Sequence, residues 1–110
     1  MEQREELFLN AGLNKNEAKV LNYFFIEDKL FTRQIERNVD MRQPEACIAL
    51  GHLVEKGWLT HKKIRHDGKG RPGQLYSLKK SKKTIIAELV NNLRKEQEKI
   101  EKIISKLEQL

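Results

Sequence analysis

The strongest constraint on this sequence is a heptad pattern in its last quarter. Residues on this seam recur at alternating intervals of four and three, and all but one of them are apolar. This spacing places them on one stripe of a helix, so we expect a long amphipathic helix that reaches Leu110, with Ser81 or Thr84 as its N-cap. The seam positions are Ile86, Val90, Leu93, Gln97, Ile100, Ile104 and Leu107.

An apolar seam of this length needs a surface to cover it. The chain has 110 residues, of which 38% are hydrophobic and 35% charged, so it can build only one small core. A helix lying on its own domain is the alternative, but the small core favours a coiled-coil homodimer in which Gln97 helps to fix the register. The seam fits a parallel or an antiparallel pair. Because Ile85, Leu89 and Ile103 widen the stripe, packing against a further helix such as the N-terminal one is also expected.

The first part of the chain predicts two helices. Residues 2–10 form a short helix, and Gly12 suits the left-handed conformation that often ends one. Asn14 and Glu17 have the spacing of a capping box and open an amphipathic helix over residues 15–26. The apolar face of this helix contains Ala18, Leu21, Phe24 and Phe25.

Two more helices follow across a tight connection. Thr32 is the N-cap candidate for a short helix over residues 33–39, and residues 40–42 make the turn. Pro44 suits the first turn of the next helix, which runs to about Lys56. Gly51 weakens the prediction of this helix, because glycine lowers helix stability.

The period then changes to that of a β-hairpin. Residues 58–64 and 74–78 predict two strands, and the loop between them is rich in glycine and basic residues. Residues 32–83 carry thirteen basic and five acidic residues, whereas residues 84–110 are neutral and residues 1–31 slightly acidic. A polyanion that contacts the middle segment would release condensed counterions, which favours nucleic acid as a partner.

The order of these elements is that of a helix-turn-helix followed by a wing. We therefore predict an α+β, mostly α, fold: a winged helix-turn-helix domain over residues 1–80, with a two-stranded β wing, and a C-terminal coiled-coil dimerisation helix over residues 81–110. In such a module the helix after the turn enters the major groove of double-stranded DNA. The candidate base-contacting residues on that helix are Arg42, Gln43, Glu45, Ile48 and His52.

Further DNA contacts are expected on both sides of this helix. Arg33 and Gln34 begin the preceding helix and are placed to hold a phosphate. In the wing loop, Arg65, Lys69 and Arg71 are candidates for the minor groove or the backbone, and the glycines and Pro72 keep the loop extended. The alternative is an ordinary turn whose basic residues are only solvated.

A resemblance supports this interpretation. The stretch from Thr32 to Leu78, with "RQPEACIALGHLVEKGWL" and "GKGRPGQLYSL", resembles archaeal winged-helix transcriptional regulators of the TrmB/ArsR/MarR-like group. The resemblance implies a dimer on a roughly palindromic operator, with Arg42, Gln43 and Glu45 in the recognition helix and Arg71 in the wing. The chain departs from metal-sensing ArsR proteins because its recognition helix has no Cys pair, and it has no large sugar-binding domain of the TrmB kind, so no small-molecule ligand is evident.

Other functions find little support in the sequence. No P-loop or nucleophile–base pair is present, so we expect no enzyme and no cofactor. The three His residues are scattered and Cys47 is the single cysteine, so we expect no metal site, and we expect Cys47 to be a small packing residue. The absence of a long apolar run and of a signal-peptide pattern predicts a cytoplasmic protein without membrane contact. The main alternative function is a winged-helix module that binds another protein.

Overall fold

The computed structural model describes residues 3–64 and 73–110, and within them the predicted order of helices and hairpin strands is confirmed. The C-terminal helix is the longest element, with 27 residues. The elements are α1 (Gln3–Asn10), α2 (Lys15–Ile26), β1 (Lys29–Phe31), α3 (Thr32–Asn38), α4 (Gln43–Glu55), β2 (Leu59–Ile64), β3 (Gly73–Leu78) and α5 (Lys82–Glu108).

Side-chain caps begin α2 and α5 where the sequence predicts them. The Asn14 side chain accepts a hydrogen bond from the backbone N–H of Glu17 at 2.8 Å, and the Glu17 carboxylate accepts from the N–H of Asn14 at 3.0 Å. The Ser81 hydroxyl oxygen accepts from the N–H of Thr84 at 3.1 Å. Each cap satisfies N–H groups that have no partner inside the helix, which fixes where the helix begins.

The start of α3 differs from the prediction. Thr32 is the first helical residue rather than the N-cap, which is Phe31. The chain passes from β1 directly into α3, and the side-chain oxygen of Gln34 accepts the backbone N–H of Phe31 at 2.8 Å. Because Gln34 reaches back to satisfy this group, the helix begins without a hydroxyl residue at its N-cap position.

The sheet has one strand more than predicted. The hairpin of β2 and β3 is present, and β1 adds to its other edge, so that β3 lies in the middle of an antiparallel sheet with the order β1-β3-β2. Leu30 pairs with Tyr76 on one side of β3, while Thr60 pairs with Ser77 on the other. Leu30 is buried, so the short strand anchors the sheet to the helical core.

One hydrophobic core joins the helices to the sheet. It includes Ile35 from α3, Leu50 from α4 and Leu59 from β2, together with Ile85 and Leu89 from the first turns of α5. These contacts join the start of α5 to the winged-helix core.

A polar contact also ties α5 to the turn before the wing. Trp58 is buried, and its indole N–H donates to Glu88 of α5 at 3.2 Å. The Lys80 ammonium donates to the same carboxylate at 3.0 Å. The first turns of α5 are therefore held at this position by both apolar packing and a charged hydrogen bond.

The rest of α5 projects away from the core. The molecule measures 70 × 24 × 22 Å, and its radius of gyration is 17.5 Å, whereas a compact chain of this length has about 13 Å. A helix of this length spans roughly 40 Å, which accounts for the elongation. In the part of the chain that the structure describes, no helix is both long and apolar enough to cross a membrane.

Candidate nucleic-acid interface

The connection between α3 and α4 is tight and anchored. Asp40 adopts a left-handed backbone conformation with φ of 50°, which short polar side chains tolerate better than most. Met41 is buried, and its N–H donates to the carbonyl of Glu36 at 3.2 Å. Pro44 lies in the first turn of α4, as predicted. The turn therefore holds the beginning of α4 in a defined position next to α3.

One face of α4 is buried and the opposite face is open. Ala46, Ala49, Leu50 and Leu53 pack into the core. The exposed side contains Pro44, Cys47, Ile48 and Gly51, which we call the outward face. The Ile48 side chain is 60% exposed, which leaves a large apolar group in solvent. Apart from its chain neighbours and its own helix backbone, Gly51 has no described atom within 4 Å of the position that a Cβ would take.

The polar candidates at the beginnings of α3 and α4 are on the surface. Arg42, Gln43 and Glu45 are all exposed around the first turn of α4. Arg33 and Gln34 are exposed at the beginning of α3. Because the oxygen of Gln34 caps α3, its amide NH2 is the group that remains to donate to a phosphate.

His52 lies against α2. Its Nδ1 is 2.7 Å from one carboxylate oxygen of Glu17, and the other oxygen of Glu17 takes part in the capping box of α2. The His52 side chain is 45% exposed, so it is neither free in solvent nor in the core. This contact connects α4 to α2 and places His52 on the flank of α4 rather than on the outward face.

The other flank of α4 faces the sheet. Burial, and in second place the charge of Cys47, raise the pKa of Tyr76 on β3 above its ordinary value of 10.0. Tyr76 also lies beside His61, with their rings 5.1 Å apart. Cys47 is exposed, so the prediction that it packs inside the protein is wrong. Position 47 follows the buried Ala46 by one residue, so it lies outside the core, on the part of the outward face nearer the sheet.

The hairpin carries exposed basic groups of its own. Lys62 and Lys63 on β2 are exposed, and neither is among the site residues that the sequence predicts. The sequence feature that points to these two lysines is the excess of basic residues in the hairpin segment. The predicted wing residues Arg65, Lys69 and Arg71 lie outside the described residues.

The seam of α5 is exposed along its whole length. All seven seam positions are on the surface, so in this single chain the seam does not pack on its own domain. The N-terminal helix α1, which the sequence predicts to pack against α5, is separated from the exposed side of α5 by a groove of about 660 Å³. That groove is lined by Gln3, Arg4, Leu7, Phe8, Ala11, Ile86, Leu89, Val90 and Leu93.

Within residues 3–64 and 73–110, no group of three or more His, Cys, Asp or Glu side chains is arranged to hold a metal ion.

Solved structures of other proteins share the fold of this chain. No protein-family model and no curated protein matches the chain significantly. A possible transcriptional regulator from Methanosarcina mazei has a TM-score of 0.74 at 18% identity, over 93% of this chain and 86% of that one. A transcriptional regulator homologue from Pyrococcus horikoshii has 0.62 at 15%, over 91% and 98%. A MarR family regulator from Neisseria meningitidis has 0.56 at 18%, over 87% and 66%. This likeness establishes the winged-helix fold of such regulators.

Proposed function

We propose that this protein is a homodimeric transcriptional regulator that binds double-stranded DNA sequence-specifically, with α4 in the major groove and the wing on the minor groove or backbone. The observation that carries the proposal is the exposure of Arg42, Gln43 and Glu45 together at the beginning of α4. The fold shared with solved regulators supports binding rather than catalysis.

The chemistry of this turn suits base recognition. An Arg donates two hydrogen bonds to guanine O6 and N7, Gln pairs with adenine, and Glu accepts from cytosine N4. Ile48 lies one turn further along the open side of α4, and an apolar side chain there suits a thymine methyl group. These groups read base edges, so they determine which sequence is preferred.

Basic groups around α4 suit the phosphate backbone. Arg33 and Gln34 lie at the beginning of α3, and Lys62 and Lys63 on the hairpin. The wing candidates Arg65, Lys69 and Arg71 belong to the same basic segment of the sequence. Such contacts strengthen binding to every sequence and make it depend on salt.

The exposed seam of α5 supports the dimer. A monomer would leave apolar side chains from Ile86 to Leu107 in water, which is unfavourable for a soluble chain. A homodimer covers them and presents two recognition helices, which suits an operator with two-fold symmetry.

The test is selection from a pool of random duplexes, followed by titration of variants on the enriched sequence. Arg42→Ala is expected to lose about 1–3 kcal/mol of discrimination at one base pair. Arg33→Ala is expected to weaken binding to all duplexes alike. It should also reduce the slope of log affinity against log salt concentration by about one, the value for one phosphate contact. The matched control is Lys95→Ala, which removes a positive charge from the exposed part of α5.

Two results would overturn the proposal. One is an Arg42→Ala variant that loses as much affinity for scrambled duplexes as for the selected duplex, since a base contact must act at a particular base pair. The other is a failure to enrich any duplex, in which case the basic face serves another partner, such as a protein.

A further inference from the structure

We infer that the α5 helices of two copies pair antiparallel, with Val90 of each against Leu107 of the partner subunit, and that the end of the partner helix fills the groove between α1 and α5. The inference rests on the homodimer of the proposed function and adds its orientation and register. The occupant of the groove is thus a second copy of this chain.

The apolar surface of α5 extends beyond the seam at both ends. Near the core, the groove adds Leu7 and Ala11 of α1 to the exposed side of α5. At the other end, Ile103 and Leu110 lie outside the seam and are exposed. Val90 is 41% and Leu107 61% exposed, so both ends need a cover. The groove therefore extends the apolar surface at the core end of the seam, and Ile103 and Leu110 extend it at the opposite end.

Two rows of side chains flank the seam and decide how helices pair. The first row contains Arg94, Glu101 and Glu108, and the second contains Leu89, Glu96, Ile103 and Leu110. Parallel helices bring the first row of one against the second row of the other, whereas antiparallel helices bring each row against its own copy. Charges in these rows set the orientation of a coiled coil.

A parallel pair in register has unfavourable flanks. It places Glu96 beside Glu101 of the partner subunit, and symmetry repeats this like-charge pair. The end of each helix then remains far from the groove of the other copy, which stays open.

An antiparallel pair has one register in which the flanking rows pair opposite charges without any like-charge pair. When Val90 lies against the partner's Leu107, Arg94 lies beside Glu101 of the partner subunit, twice by symmetry. A shift by one heptad in one direction brings Arg94 against its own copy. A shift in the other direction sets Arg94 beside Glu108 of the partner subunit but brings Glu101 against its own copy. Charge complementarity therefore selects this register among the three.

The same register covers the groove. It brings Leu110 of the partner subunit next to Leu89, which lines the groove with Leu7 and Ala11. Ile103 of the partner subunit lies over the stem of Glu96, whose methylene groups can cover apolar surface. The C-terminal end of one helix is thus buried in the groove of the other copy.

Disulfide trapping tests the orientation. In a full-length Cys47→Ser background, Val90→Cys and Leu107→Cys are made separately, refolded together or alone, and oxidised. The antiparallel register predicts a cross-linked dimer only in the mixture, joining position 90 to position 107. Dimers trapped from each variant alone would show a parallel pair and overturn the inference, while leaving the proposed DNA-binding dimer intact.

A charge reversal gives an independent readout without cysteine. Glu101→Arg places like charges beside Arg94 in the antiparallel pair, so dimer dissociation measured by sedimentation at low salt is expected to rise roughly threefold or more. A parallel pair would become tighter instead, because the new Arg would meet Glu96. Glu98→Arg is the control, since it makes the same charge change on the side away from the seam. A wild-type monomer at all concentrations would refute both this inference and the proposed homodimer.

Discussion

Replacing Gly51 by Ala should raise stability and lower DNA affinity at the same time. Gly51 lies inside α4 with helical backbone angles, is exposed, and has open space where a Cβ would lie. Glycine in such a position costs about 0.5–1 kcal/mol relative to alanine. Nothing in the described part of the chain compensates for this cost, so the Gly51→Ala variant should gain that free energy of unfolding. The melting temperature should rise by roughly 2–6 °C.

The effect on DNA follows from the position of the residue. Gly51 is on the outward face one turn beyond Cys47, where the proposed complex brings the helix close to the base edges. An added methyl group in a packed interface costs roughly 1–3 kcal/mol. The dissociation constant for the selected duplex should therefore rise by about five- to 150-fold.

The assay compares two quantities on the same preparations. Thermal or urea unfolding at fixed protein concentration gives stability, and fluorescence anisotropy with the selected duplex gives affinity. Asn91→Ala is the control, because it also improves helix propensity on an exposed helix position but lies on α5. A Gly51→Ala variant that is more stable and binds DNA as tightly as the wild type would refute the close approach of α4. A less stable variant would refute the argument about the helix.

Three further predictions concern individual contacts. Asn14→Ala removes the acceptor for the N–H of Glu17 and should cost about 1 kcal/mol of stability in urea unfolding; an unchanged midpoint would show that the cap contributes nothing. His52→Ala removes the contact with Glu17 and should lower stability by less than about 1 kcal/mol without altering base preference; a changed preferred sequence would instead make His52 a base contact. The pKa of Tyr76 is raised in the folded state, so stability should be lost as pH rises above the unfolded value of 10.0, and this loss should be smaller in Tyr76→Phe; identical alkaline profiles would contradict the raised pKa.

Local signals in the sequence were sufficient for most of the fold. The capping box at Asn14, the proline at the start of α4 and the heptad spacing of α5 each depend on residues within one or two turns. β1 was missed because three residues are too few for an alternating pattern, and its pairing with β3 is a long-range contact. Thr32 was misassigned because the cap of α3 comes from Gln34, which lies inside the helix.

The candidate site was predictable in position but not in every contact. Arg42 and Gln43 are exposed because they lie at the very beginning of α4, whose start Pro44 marks in the sequence. The helical period alone would place them in line with the buried Ala46, so their exposure depends on where the helix begins. His52 is four residues from Ile48 and so shares its side of a helical wheel, but packing of α2 directs its ring to Glu17. The exposure of Cys47 does follow from the helical period, because one residue after the buried Ala46 turns the side chain out of the core. The prediction that it packs inside the protein did not apply that period.

The most direct test of the central claim is equilibrium binding of the wild-type chain to the selected duplex and to a scrambled duplex of the same composition, across a salt series. Sequence-specific recognition predicts at least about a thousandfold preference for the selected duplex at physiological salt. Affinity for both duplexes should fall steeply as salt increases, since phosphate contacts release counterions. Equal affinity for the two duplexes, or weak binding to both at low salt, would contradict the account.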